Sequence, residues 1–272
     1  VSGDDAGFAR LIGRVSSAVG ITLDAYKDKC IRRRVAVRMR ACGARDYDEY
    51  LELLQRTPGE LDRLKDAITI NVTRFYRNPE TWDALAARFL PALWQAREGR
   101  LRIWSAGCAS GDEPYTLAML VAEQCRLAGR PAWLDRCMVD ATDIDRTSLA
   151  RARAAVYRTD ALQELPPSMR ERYTVPHPDG RAVAPVIRAR VRVAERNLDM
   201  GPMPGGPYDL ICCRNVVIYF DRPLQERVFA LFANQLVPEG VLVLGKVETL
   251  LGPARDLLQL EDVRERIYRR VA

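Results

Sequence analysis

The pattern of the chain predicts a doubly wound α/β sheet preceded by a small all-helical domain, and three observations carry that reading. From residue 101 onward, strand-like and helix-like stretches alternate, as in a parallel sheet covered by helices on both faces. Before residue 79 only helix-period patterns occur, broken by glycine. A chain of 272 residues is long enough for two units, each with its own core. The boundaries read as a helical domain over residues 1–78 and a larger domain over 79–272, with a small β insertion at about 166–195.

Phe8, Leu11, Ile12 and Val15 fall at helical spacing ahead of Gly20. Leu23 to Met39 is a second periodic stretch, stopped by Cys42-Gly43, and a third helix is expected near 46–56. Leu61, Leu64, Ala67 and Ile68 carry a fourth toward 70–78, so that the segment from 6 to 78 reads as helical throughout. A helix through Trp82, Leu85 and Leu90 then leads to a strand at 101–106, a turn of small residues and an apolar helix at 115–127. The cycle recurs as strand 135–142, helix 146–155, strand 208–213, helix 223–236 and strand 241–245. Between Pro166 and Ala194, Pro and Gly turns and alternating Val183, Val186, Val191 and Val193 predict the β insertion.

With 48% hydrophobic and 29% charged residues, the chain is ordinary globular material. No run approaches the roughly 18 apolar residues of a membrane span, so membrane insertion is not expected. Acids occupy the opening decapeptide where a secretory signal is basic, so export is not expected either, and a start at Val1 fits a trimmed chain. Seven cysteines, an odd number without C-x-x-C spacing, point to reduced, packed thiols rather than disulfides or zinc, and no metal site is expected. The single histidine, His177, sits in a P-H-P-D-G turn and reads as a solvated loop residue.

In a doubly wound sheet, ligands bind beyond the carboxyl ends of the strands. The first strand is followed by Gly107, Ala109 and Gly111 in a G-x-A-x-G loop, then Asp112 and Glu113. The small residues allow close backbone approach, and the acids disfavour a pyrophosphate and favour a ligand carrying positive charge. The same loop also suits an ordinary tight turn with a helix-capping acid. The second strand ends at Asp143, placed to accept from ribose hydroxyls, with Asp145 beside it as a candidate helix cap. Asn197-Leu198 and Arg214-Asn215 follow the next two strands. Polar residues at four strand ends in succession point to a nucleoside-type site.

Asn71 to Arg77 (N-V-T-R-F-Y-R), Trp104 to Tyr115, Ala141 to Asp145 and Cys213 to Asp221 (C-R-N-V-V-I-Y-F-D) together resemble the CheR-type chemotaxis receptor methyltransferases, in the expected order and over nearly the whole chain. The resemblance implies a class I S-adenosylmethionine-dependent methyltransferase fold, Rossmann-like, with Asn71, Thr73, Arg77, Gly107, Glu113, Asp143, Asn197, Leu198, Arg214 and Asn215 at the cofactor. It implies methyl transfer to glutamate side chains in the cytoplasmic domain of chemotaxis receptors, leaving S-adenosylhomocysteine. A carboxylate nucleophile is already ionised at neutral pH, so no general base is needed. Arg77 and Tyr219 are the candidates for holding that carboxylate. Between Lys27 and Arg45, eight cations face the single acid Asp28, and Arg32, Arg33, Arg34, Arg38 and Arg40 are the candidate docking face for an acidic receptor helix. Alternatively they form a solvated face over a buried stripe of Ile31, Val35 and Met39.

The family's paired glutamates before proline are Asp112-Glu113 here, and its G-H-S-E is Gly245-Lys246-Val247-Glu248. The segment from Arg172 to Leu198 is short and lacks a glycine-rich bend, so a receptor peptide tether is not expected. The expected protein is a cytoplasmic monomer without nucleic-acid partners. Two rival readings are a nucleic-acid methyltransferase, whose N-P-P-Y-type signature is missing after the fourth strand, and a non-catalytic cofactor-binding signalling module.

Overall fold

The computed structural model describes residues 3–19, 23, 26–68 and 73–271. The chain divides into two compact units, Val1–Ile70 with Tyr219–Gln225, and Asn71–Ile218 with Glu226–Ala272.

The first unit holds α1 (Gly3–Val19), α2 (Asp28–Cys42), α3 (Tyr47–Arg56) and α4 (Glu60–Ile68). Phe8, Leu11, Ile12 and Val15 of α1, Ile31 and Val35 of α2, Tyr50 of α3 and Leu64 of α4 are buried. Asp46 caps α3 by accepting from the Glu49 N–H, and Gly43, at φ 75°, closes α2. The second helix begins at Asp28 rather than Leu23 because the backbone before it is committed elsewhere. Tyr26 bridges to Phe220, and the Lys27 N–H donates to the Tyr219 carbonyl at 2.8 Å. Those bonds are why residues 219–225 group with the helical unit.

The second unit opens with residues 73–78, which are not helical as expected but irregular, with Tyr76 at φ 57° and Asn78 at φ 60°. Then come α5 (Pro79–Ala84), a π-helical turn over Leu85–Phe89, α6 (Leu90–Ala96), β1 (Arg102–Ala106) and α7 (Asp112–Leu127). There follow β2 (Met138–Asp143), α8 (Arg146–Ala154), β3 (Val156–Tyr157), α9 (Pro167–Tyr173), β4 (Thr174–His177), β5 (Gly180–Val183), α10 (Pro185–Arg188) and β6 (Val191–Glu195). The chain closes with β7 (Tyr208–Cys213), α11 (Arg222–Gln235), β8 (Leu236–Leu244), β9 (Leu258–Asp262) and β10 (Ile267–Arg270).

The main sheet has the order β6-β2-β1-β7-β8-β10-β9. β1, β2, β6, β7 and β8 are parallel, and β10 runs antiparallel between β8 and β9. All six residues of β7 and all but the first of β1 are buried, as a doubly covered sheet requires. The carboxyl ends of the five parallel strands therefore open on one side, and the strand order reverses beside β1.

Three expectations are corrected. The inserted sheet is β3-β5-β4, running from Val156 to Val183: β4 and β5 fall inside the expected 166–195, while β3 precedes it and residues 191–195 belong to the main sheet. The alternating Val191 and Val193 belong instead to β6, a parallel edge strand whose valines pack toward Leu149 of α8. Alternation identified a half-covered strand but not the sheet it joins. The antiparallel β9 and β10 were not anticipated, and β2 starts at Met138, after a 3-10 turn over Pro131–Arg136. All seven cysteines are free, five of them buried, and no metal-binding cluster occurs among the described residues. His177 closes β4 and accepts at Nδ1 from the Asp179 N–H.

Candidate active site

The loop after β1 is held by backbone bonds. The N–H groups of Gly107 and Cys108 both donate to the Thr142 carbonyl, at 2.8 and 2.9 Å, tying the loop to the end of β2. Gly107 has φ 82°, and a Cβ there would lie 2.4 Å from Val216 Cγ2; Gly111 has φ 96°, and a Cβ there would lie 2.7 Å from the Tyr157 hydroxyl. Both positions require glycine. Tyr157 pins the loop further by donating to the Ser110 carbonyl at 2.7 Å.

Glu113 lies in the first turn of α7 with its side chain 11% exposed. It accepts from Ser105 Oγ at 2.9 Å, and Arg214 Nη1 stands 3.9 Å away. Burial pushes its carboxyl above the ordinary glutamate range, opposed by the Arg214 charge. Asp143 accepts from the N–H groups of Ala109 (2.8 Å) and Asp145 (2.9 Å), and burial raises its carboxyl as well. It thus braces the glycine loop in addition to its expected ribose role. Asp145 caps α8 through Thr147 and Ser148.

After β7, Arg214 is buried against Trp82, its guanidinium carbon 4.8 Å from the ring centroid. Its Nη2 donates to the Arg77 carbonyl and to Asn78 Oδ1, both at 2.9 Å. Trp82 Nε1 donates to the same Arg77 carbonyl. The backbone of Arg77 is therefore clamped twice, and the residue lines a cleft of about 310 Å3 with Arg74, Asn78, Pro79, Glu80 and Glu164. The strained 73–78 segment is also tied down by Phe75 N–H to the Ala161 carbonyl and Tyr76 N–H to Thr116 Oγ1.

Arg214 Nε and Asn215 Oδ1 are buried and have no hydrogen-bond partner among the described residues. A buried donor and a buried acceptor left unmet cost free energy unless a ligand meets them. Together with the Glu113 carboxylate at the reversal of strand order, they suit a ligand whose amino-acid end offers both an ammonium and a carboxylate. S-adenosylmethionine has that chemistry. Asn197 caps the short turn Leu198–Met200 through the Asp199 N–H, with Leu198 buried beside it beyond β6. Gly107, Glu113, Asp143, Asn197, Leu198, Arg214 and Asn215 thus all fall at carboxyl ends of parallel strands. Thr73 is half-buried ahead of the clamped segment. Asn71 lies outside the described residues.

Glu248 is the residue that sequence reasoning passed over. It is 2% exposed and accepts from the N–H groups of Gly245 (2.6 Å), Asn215 (2.9 Å) and Val216 (2.9 Å). No cation pairs with it among the described residues, and burial raises its carboxyl against those backbone bonds. This side chain sets the path of the loop carrying Arg214 and Asn215, which holds Asn215 at φ 60°. Its only sequence signal was the G-K-V-E string.

In the first unit Tyr219 is half-buried, with the Arg34 guanidinium 5.9 Å from its ring centroid. The basic helix does not present all five arginines outward. Arg34 Nη1 donates to the Ala67 carbonyl at 2.6 Å, and Arg38 holds the buried Glu60, whose Oε1 also accepts from Tyr50. Arg32 pairs with Asp28 and Asp5 and stacks 3.9 Å over Phe8. These three are committed within the unit. Arg33 and Arg40 are exposed and, with exposed Lys29 and the half-exposed Val37, form one stripe at helical spacing.

Residues 71–267 match the family model for the CheR methyltransferase SAM-binding domain, and residues 6–69 match that for the CheR methyltransferase all-alpha domain. The chain is 35% identical to the chemotaxis protein methyltransferase of Klebsiella aerogenes, over 93% of this chain and 86% of that protein. It is 34% identical to the Escherichia coli chemotaxis protein methyltransferase, over 90% of this chain and 84% of that one. The probable biofilm formation methyltransferase WspC of Pseudomonas aeruginosa is 34% identical over 90% of this chain and 56% of its own length. With both family models matched over most of its length, the chain belongs to the CheR methyltransferases, enzymes that use S-adenosylmethionine on a class I methyltransferase fold.

Proposed function

We propose that the protein methylates glutamate side chains in the cytoplasmic domains of chemotaxis receptors, acting as a cytoplasmic monomer in sensory adaptation. The observation that carries this reading is Arg77, clamped through its carbonyl by Arg214 and Trp82 and lining a polar cleft beside Asn78, which Arg214 also holds. When bound, S-adenosylmethionine supplies an electrophilic methyl group on a sulfonium sulfur. A carboxylate acceptor would take that methyl from sulfur to oxygen with no proton to remove, so the chain need supply no general base. The protein's work is therefore orientation and exclusion of water. Arg77 aligns the acceptor carboxylate by charge and Tyr219 by its hydroxyl, while Glu113, Arg214 and Asn215 hold the amino-acid end of the donor. Asp143 and Asn197-Leu198 meet its nucleoside, with Asn71 and Thr73 assigned to the same pocket.

Residues 1–78 serve as the docking domain and 79–272 as the methyl-transfer domain. Docking is assigned to Arg33 and Arg40, with Lys29 beside them, since Arg32, Arg34 and Arg38 are engaged within the helical unit. The β4–β5 hairpin turns through only Pro178-Asp179, in keeping with an enzyme that needs no receptor peptide tether. The similarity to WspC supports a second client, a receptor of a surface-growth pathway rather than of chemotaxis. Incubation with methyl-labelled S-adenosylmethionine and the two kinds of receptor fragment tests both. Base-labile label on either fragment supports the acceptor chemistry, and label on neither overturns it.

A further inference from the structure

The crossover between β2 and β6 carries a charge that the methyl-transfer reading does not use. Residues 146–196 contain eleven arginines and five carboxylates, an excess of six that equals the net charge of the whole chain, +6. Part of it lies at β6, the edge strand of the main sheet: Arg190 and Arg192 lie beside and within the strand, and Arg146 and Arg153 reach its Glu195 and Val193.

β6 has one paired and one open side. The Arg190 carbonyl accepts from the Val139 N–H, and the Arg196 N–H donates to the Asp143 carbonyl, each at 2.8 Å. Even-numbered residues thus direct their backbone groups at β2. Because successive residues alternate, the N–H and C=O groups of Val191, Val193 and Glu195 face the open side. Arg192, Ala194 and Glu195 are exposed. One contact reaches that side from α8, Arg153 Nη2 to the Val193 carbonyl, at a long 3.4 Å.

Some of the surrounding cations are neutralised: Arg146 by Glu195, Arg190 by Asp135 and Arg192 by Asp140. Others are not. Arg153 and Arg188 reach only backbone carbonyls, and exposed Arg151 has no ion-pair partner among the described residues. An open strand edge offers alternating donors and acceptors that another polypeptide backbone matches and a lipid headgroup or nucleic acid does not. Tyr157 and Tyr173, the aromatics of this stretch, are buried, which removes the stacking platform that single-stranded nucleic acid uses.

We infer that the open edge of β6, flanked by Arg153 and Arg188, docks an acidic extended segment of a partner protein as an added strand. The segment displaces the long Arg153 contact, places its backbone against Val191, Val193 and Glu195, and sets its carboxylates against Arg153 and Arg188. Arginines at a sheet edge also deter unwanted pairing, and the test separates the two roles.

The probe is a fluorescein-labelled peptide of about ten residues alternating glutamate and threonine, titrated into the full chain and followed by anisotropy. Binding is expected and should weaken as salt rises from about 50 to about 300 mM. The double variant R153E/R188E should weaken it roughly tenfold or more. A peptide N-methylated on alternate residues should lose as much, because strand bonds then cannot form. R33E/R40E, in the other basic stripe, should change it less than about twofold. Retained S-adenosylhomocysteine affinity shows that R153E/R188E is folded. The inference is overturned if the parent chain does not bind, if R153E/R188E binds as the parent does, or if the N-methylated peptide binds equally well, which would leave charge alone. Tighter binding of an oligonucleotide or of phosphatidylglycerol vesicles, lost in the same R153E/R188E variant, would reassign the surface.

Discussion

Glu248→Gln is the substitution that most sharply separates an organised cofactor loop from a merely folded one. Glu248 Oε2 accepts from the Asn215 and Gly245 N–H groups and Oε1 from that of Val216. The Ile218 N–H also bonds this carboxylate, so glutamine, though it fits the same space, sets its amide against at least one backbone N–H in either orientation, donor against donor. An unmet buried N–H costs about 1–3 kcal/mol, and loss of the charge on the remaining bonds adds about 1 kcal/mol. The sum is about 2–4 kcal/mol, or roughly 30- to 700-fold in the population of the correct loop. Because that loop carries Arg214 and Asn215, the loss should reach the cofactor. Calorimetric titration with S-adenosylhomocysteine should show affinity at least about tenfold weaker in E248Q, alongside a lower melting temperature. A lower melting temperature with affinity within about twofold of the parent would refute the reasoning and leave Glu248 a structural residue only.

The remaining predictions concern separate parts of the site. Tyr219→Phe should lower turnover with cofactor affinity nearly unchanged; a large loss in a binding titration would contradict that division of labour. Burial raises the Glu113 carboxyl, and a cationic ligand favours its ionised form, so cofactor affinity should fall as pH drops through that raised value. The same raised carboxyl makes its contribution to apoprotein stability greatest at low pH and lost as pH rises through its folded value; Glu113→Gln should abolish both dependences, and an unchanged affinity profile would exclude the ammonium role. Arg38→Ala removes the bidentate partner of the 1%-exposed Glu60, leaving it Tyr50 and Arg63 at 3.6 Å, and should cost about 1–3 kcal/mol in denaturant unfolding, whereas R33E/R40E should leave stability unchanged and reduce receptor methylation most at low salt. Equal stability of R38A and parent, or receptor methylation untouched by R33E/R40E at every ionic strength, would undo that partition. Gly107→Ala, which drives a methyl group into Val216, should weaken cofactor binding, and normal binding would show that the loop can yield.

What the sequence made legible was local. The residues that follow β1, β2, β6 and β7 were readable because strand periodicity locates strand ends, and the topology of a doubly wound sheet places ligands there. Glu248 was not readable in the same way. A carboxylate that works by accepting backbone N–H groups from a loop more than thirty residues away leaves no pattern in its own neighbourhood. The arginines of α2 mislead for a related reason. Composition counts charges, and only packing reveals that Arg38 serves Glu60 and Arg34 caps the end of α4 beside Tyr219. Val191 and Val193 show the limit of alternation, which identifies a half-covered strand whether it lies in an insertion or at the edge of the main sheet. The start of α2 depended on Tyr26 and Lys27 pairing with Tyr219 and Phe220, a non-local contact that no window of sequence contains.

The most direct test of the central claim is transfer of labelled methyl from S-adenosylmethionine to a receptor cytoplasmic fragment, followed by mild base. The account predicts label on the fragment that base releases as methanol, and that is lost when the methylated glutamates are changed to alanine. Label that resists base, or that persists on the alanine fragment, would place the methyl on nitrogen or another acceptor and contradict carboxylate methylation.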